Sequence, residues 1–287
     1  MELGDREESQ NVEDERGRGR TGLVLGGGGI VIVLIALFLG VDPQKILALL
    51  NQQQGPGAAQ EENVPVDPAE EPIRHFAAVV FGDTERVWIK QFQEMGKVYQ
   101  EPKLVLYSQQ FPSACGEADA AVGPFYCPGD SKVYLDLSFF REMDTKLHAK
   151  GGFARAYVIA HEVGHHVQRL LGYSRRAEQL RASGTRSAAS QASVRLELQA
   201  DYFAGVWAYH AQQDFRHFLQ EGDIESALNA ANQIGDDKLQ KQATGVVRPD
   251  SFTHGTSRQR VRWFTQGFKT GDVGQARLLF DLDYDKL

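Results

Sequence analysis

The stretch His161-Glu162-Val163-Gly164-His165 sets two imidazoles four residues apart with a carboxylate between them. On an α-helix positions i and i+4 lie one above the other, so His161 and His165 project from one face and their ring nitrogens can close on a single ion. Glu162 lies about 100° round the helix from His161, too far round to be a third ligand beside them but placed to reach a water bound to the ion. That combination points to metal-assisted hydrolysis with Glu162 as general base. The plainer alternative is a core histidine beside a surface one.

Two imidazoles do not hold a catalytic zinc, which takes three protein ligands and an open water position. A metzincin would place Gly and then His within six residues of the second histidine; His166-Val-Gln-Arg-Leu-Leu171 follows here, so that class is excluded. Further on, Glu197-Leu-Gln-Ala-Asp201 again sets two carboxylates i and i+4 on one helix face. Glu197 can bind the metal while Asp201, one turn on, accepts the spare N–H of His161 or His165 and fixes its tautomer. The mirror assignment of the two carboxylates, and an ordinary solvated acidic face, stay open at this point. His166 is off the His161/His165 face and reads as packing, or as support for a ligand, rather than as a ligand itself. His75, His148, His210 and His217 have no metal-ligand spacing.

The elements that must position these groups are legible around them. Ala154 to Leu171 is apolar on most faces, as a helix within a core would be, and a second helical run from about Ser190 to His210 carries Glu197 and Asp201 among Leu198, Ala200, Phe203 and Trp207. Carboxylates inside such a helix need partners. Asp83 to Tyr99 has helical spacing with Asp83 as its cap. Leu104–Tyr107 and Lys132–Leu137 read as strands; the second precedes the metal helix and is either an edge that pairs with extended substrate or purely structural. Asp223–Ile234 and Thr256–Phe268 read as capped helices, the latter through the box Thr256-Ser-Arg-Gln259, and Asp272 starts a last short one.

The chain has 287 residues, 42% of them hydrophobic, enough for one domain of full size once its tails are removed. A net charge of −7 without a sustained Lys/Arg stripe argues against nucleic acid as a partner. Residues 1–20 are charged and apolar-poor, and are expected to be a disordered cytoplasmic tail. Thr21 to Val41 runs without a charge, long enough to cross a bilayer, and Arg16, Arg18 and Arg20 before it keep the N-terminus in the cytoplasm by the positive-inside rule. A cleaved signal peptide is the competing reading. Residues 42–72 are Gln-, Gly- and Pro-rich and are expected to be a flexible linker, with the folded domain, 73–287, outside the cytoplasmic membrane. In that oxidising compartment Cys115 and Cys127 are expected to form a disulfide; two reduced thiols would go with the opposite orientation.

The pattern His161-Glu-x-x-His165 followed by Glu197-x-x-x-Asp201 resembles the gluzincins, the thermolysin-like and neprilysin-like peptidases. It is more similar still to the bacterial family described as putative neutral zinc metallopeptidases. The likeness runs through Asn11-Val-Glu-Asp14, the apolar span, Ala121-Val-Gly-Pro-Phe-Tyr-Cys127, Tyr134-Leu-Asp-Leu-Ser-Phe-Phe140 and Phe252-Thr-His-Gly-Thr256, nearly the whole chain. It implies an α+β, mainly helical zincin-like domain with a small sheet, preceded by one transmembrane helix, and a zinc-dependent peptidase acting on peptide or protein substrates. It also implies that a downstream histidine, here His254, stabilises the oxyanion, against the plainer reading of His254 as a helix-entry residue. A non-hydrolytic, membrane-anchored zinc-binding envelope protein is the alternative function.

Overall fold

The computed structural model describes residues 1–20, 61–63, 65–119, 123–145, 151–182, 185–215, 218–233, 237 and 252–287. The helices are α1 Glu71–Glu94, α2 Ser138–Thr145, α3 Gly152–Leu171, α4 Tyr173–Ala182, α5 Arg186–Asp214, α6 Asp223–Gln233, α7 Ser257–Thr270 and the short α8 Leu278–Asp281. The strands are β1 Val12–Asp14, β2 Arg18–Arg20, β3 Glu61–Asn63, β4 Lys103–Tyr107, β5 Gln110–Ser113, β6 Gly116–Asp119, β7 Phe125–Cys127 and β8 Lys132–Asp136. The result is mainly helical with a small sheet, the α+β class expected.

Helix α3 forms where expected because its apolar residues surround it: Phe153, Ala154, Ala156, Tyr157, Ile159, Ala160 and Val163 are all buried. Gly172 ends it in the left-handed conformation, with φ 86°, which a residue without Cβ adopts at no steric cost. Helix α5 lies against it, and α7 lies against α5 at a crossing built on glycines. A Cβ on Gly205 would come 2.2 Å from the Phe264 carbonyl oxygen, and one on Gly267 would come 2.0 Å from that of Tyr202. Helix α7 opens with the expected capping box, Thr256 and Gln259 each bonding the other's backbone. Asp272 caps a 3-10 turn, Val273–Arg277.

The main sheet runs in the order β1-β4-β8-β7, with β1, β4 and β8 parallel and β7 antiparallel to β8. Strand β8 is therefore internal, which favours the structural one of its two readings over the edge. The edge near α3 is β7, three residues long and too short to show alternation in the sequence. Cys115 and Cys127 are bonded, as expected, and tie β7 to the turn after β5. Replacing both by Ala should lower stability by about 3 kcal/mol, through the freedom regained by the unfolded chain, with urea unfolding of the two proteins as the measurement.

Three further expectations are corrected. Asp83 does not cap a helix; it is buried midway along α1, where Arg6 and Arg86 pair with it at 2.5 and 2.7 Å. Residues 1–20 are not a disordered tail. Strand β1 joins the main sheet, Arg16 is 2% exposed and bonded to Asp14 and Glu71, and the Ser9 hydroxyl donates to Glu85 at 2.8 Å. The charges that seemed to forbid packing are paired with partners on α1, more than fifty residues downstream. Part of the expected linker is also structured: Glu61–Asn63 is a strand and Pro68–Glu70 a 3-10 turn leading into α1. The apolar run 21–41 lies outside the described residues; among those described, no helix is long and apolar enough to cross a membrane.

Candidate active site

Helices α3 and α5 face each other at the His-Glu-x-x-His turn, and Gly164 lets them do so. A Cβ there would lie 2.9 Å from the Ala200 carbonyl oxygen and 3.1 Å from its Cα, both parts of the α5 backbone. Gly164→Ala should force the helices apart, costing about 1–3 kcal/mol of stability by overpacking and loosening the site between them. Thermal unfolding and zinc titration of the same variant would show both.

Across that contact the side chains converge. The rings of His161 and His165 are 4.8 Å apart between centroids and nearly perpendicular. His161 Nε2 lies 3.2 Å from Glu197 Oε2, and His165 Nε2 lies 3.5 Å from Glu197 Oε1. One ligand atom from each of His161, His165 and Glu197 fits within 4.8 Å of the others. The structure thus brings together the three expected ligands.

Each imidazole is held from behind through its other nitrogen. His161 Nδ1 lies 2.8 Å from Asp201 Oδ1, and an N–H donated to that carboxylate would leave Nε2, on the Glu197 side, free to bind an ion. His165 Nδ1 lies 2.9 Å from Gln168 Oε1, and Gln168 in turn donates from Nε2 to the Leu196 carbonyl on α5. Asp201 is the supporting carboxylate and Glu197 the facing one, which resolves the two assignments in geometry. Asp201 is itself fully buried and accepts from Tyr157 Oη at 2.5 Å and from Arg260 Nε and Nη2 at 2.8 and 2.9 Å. Tyr157, Gln168 and Arg260 escaped the sequence reading. Tyr157 and Gln168 carried a signal, at i−4 from His161 and i+3 from His165 on the same helix; Arg260, from α7, carried none.

The electrostatics fit a cation. Burial disfavours charge on His161, yet Asp201 and Glu197 together raise its pKa from 6.5 to about 10. Burial also opposes charge on Glu197, but His165 and His161 hold its carboxyl well below the usual range. Two nitrogens and a carboxylate, with both cysteines bonded to each other, are a donor set suited to zinc. Glu162 is not one of the three converging side chains but lines the same cavity: burial raises its pKa, opposed by His161 and His165, and a backbone hydrogen bond from Tyr126 on β7 holds its carboxylate.

These groups open into a cavity of about 670 Å³ walled by Gly123–Tyr126, Phe139, Leu196 and His254. Among the described residues no strand pairs with the outer edge of β7. His254 lies near enough to act on the charge of Glu197, with Nδ1 3.0 Å from the Thr253 hydroxyl. His166 is no ligand: its nitrogens meet Tyr126 Oη at 3.0 Å and the Gln100 carbonyl at 2.6 Å, and burial lowers its pKa to about 4. His75 pairs with Glu8 and His210 with the Gly271 carbonyl, while His148 and His217 lie outside the described residues.

Comparison with known proteins agrees with this geometry. The chain is 47% identical over 278 residues to the Escherichia coli K12 protein titled "Uncharacterized protein YpfJ", covering 94% of this chain and 96% of that one. It is 46% identical over 183 residues to "Uncharacterized protein Rv2575" of Mycobacterium tuberculosis H37Rv, 61% of each chain. No solved structure matches. The family described as "Putative neutral zinc metallopeptidase" matches residues 1–278, and the chain belongs to that family.

Proposed function

We propose that this chain is a zinc-dependent endopeptidase that cleaves peptide bonds with an activated water, Glu162 serving as general base. One observation carries the reading: His161, His165 and Glu197 turn ligand atoms towards a common point while Asp201 and Gln168 engage the other nitrogen of each imidazole. His161, His165 and Glu197 would hold zinc, which when bound would polarise a water and lower its pKa to about 7. Glu162, on the same turn, takes the proton from the attacking water and delivers it to the leaving amide nitrogen; burial keeps its carboxyl ready to hold that proton. The open edge of β7 holds the substrate backbone in extended form, a mode with little side-chain selectivity. His254, on the cavity wall, donates to the oxygen that gains charge, a contribution of about 3 kcal/mol.

The Cys115–Cys127 disulfide supports a domain that works outside the cytoplasm, attached at the membrane by the apolar run 21–41. The test is a peptide-library digest by the purified chain loaded with zinc. Cleavage that stops on chelation and returns with zinc supports the peptidase. Bound zinc with no cleavage of any peptide would favour the non-hydrolytic zinc-binding module instead.

A further inference from the structure

The N-terminal segment is built into the domain at five independent places. Strand β1 pairs in parallel with β4, Val12 opposite Leu104 and Asp14 opposite Leu106, and Leu104 N–H donates to the Asn11 carbonyl at 2.9 Å. The buried Glu85 carboxylate accepts from Ser9 Oγ at 2.8 Å and from Asn11 Nδ2 at 2.9 Å. Buried Asp83 is paired with Arg6. Gly82 on α1 lies flush with the segment, a Cβ there coming 3.1 Å from Ser9 N and 3.3 Å from the Glu7 carbonyl oxygen. Arg16 is buried in its ion pairs with Asp14, Glu70 and Glu71.

The exit and return of the chain are adjacent as well. Strand β2 pairs antiparallel with β3, with Arg20 opposite Glu61. Neighbouring strands lie about 5 Å apart. A chain that crossed a bilayer once between these residues would have to separate them by a hydrocarbon core of about 30 Å. The two arrangements cannot coexist. The positive-inside expectation is also weakened, because the charge of Arg16, one of the three arginines it counts, is already neutralised inside the fold.

We infer that residues 1–20 and the domain from residue 61 onwards lie on the same side of the membrane, so that this chain is not a single-pass protein and meets lipid from one face only. This replaces the topology with a cytoplasmic N-terminus, and it does not depend on the zinc chemistry. The disulfide puts that shared side outside the cytoplasm.

The test uses the full chain in spheroplasts of an Escherichia coli expression strain, with single cysteines introduced as Asp5→Cys or Asp285→Cys. Both positions are exposed, and the native thiols are consumed in their disulfide. A membrane-impermeant maleimide should label both variants alike in intact spheroplasts, and both after lysis. Equal labelling before lysis supports one-sidedness and the outside location. Equal protection until lysis supports one-sidedness but overturns the outside location, leaving the peptidase chemistry untouched. Labelling of only one variant before lysis would overturn the inference.

Discussion

Glu162→Gln is expected to lower peptide hydrolysis by about 10³- to 10⁴-fold while the zinc content of the protein stays at one per chain. The amide keeps the size of the side chain and can still accept the Tyr126 backbone hydrogen bond. It cannot take a proton from water. Because Glu162 is not among the three converging side chains, the metal should survive the change. The loss should fall on kcat rather than KM, since the proton moves only in the chemical step. Single-turnover hydrolysis with zinc analysis of the same sample separates the effects, and unchanged turnover would exclude Glu162 as the base.

The second large effect is expected from Arg260→Met, which removes a residue that does not touch the metal position. Arg260 is 2% exposed and gives two hydrogen bonds to Asp201 and one to Tyr157 Oη. Burial alone would push the Asp201 pKa up, but Arg260 and His161 bring it down to about 2. Without the guanidinium the carboxylate is left buried with less compensation, a change that costs about 3–5 kcal/mol. Loosened Asp201 also holds His161 less firmly, so zinc affinity should drop by about 10- to 100-fold. The pH dependence has a definite sign. In the wild type the Asp201 pKa lies below its unfolded value, so its contribution is full above about pH 4 and is lost as pH falls towards 2. In the variant burial raises the folded value above the unfolded one, so the deficit should shrink on acidification from neutral pH. Urea unfolding of zinc-free protein at several pH values measures this, and a deficit that grows on acidification would contradict the role given to Arg260.

What the sequence made legible is what short-range spacing encodes. His161 and His165, Glu197 and Asp201 each sit one helical turn apart, and the faces they share could be read before any fold was known. The same rule would have reached Tyr157 and Gln168 had it been pushed one turn either way along α3. Arg260 could not be found so, because its meaning lies in Asp201, fifty-nine residues away on another helix. The N-terminal segment failed for the same reason on a larger scale. Its composition is that of an unfolded tail, and only the partners Asp83, Glu85 and Leu104 turn it into part of the sheet and core. Asp83 misled in the opposite direction: a capping residue by type, it is a buried charge in fact, held by Arg6 and Arg86.

The central claim is a zinc centre made of two imidazoles and one carboxylate with a coordination position left for water. Zinc K-edge X-ray absorption on the purified chain, compared with Glu197→Ala, tests it most directly. Expected is one zinc per chain with two imidazole nitrogens at about 2.0–2.1 Å, the remaining ligands oxygen and none sulfur, and loss of that metal in the variant. A shell containing sulfur, or zinc retained unchanged without Glu197, would contradict the proposed centre.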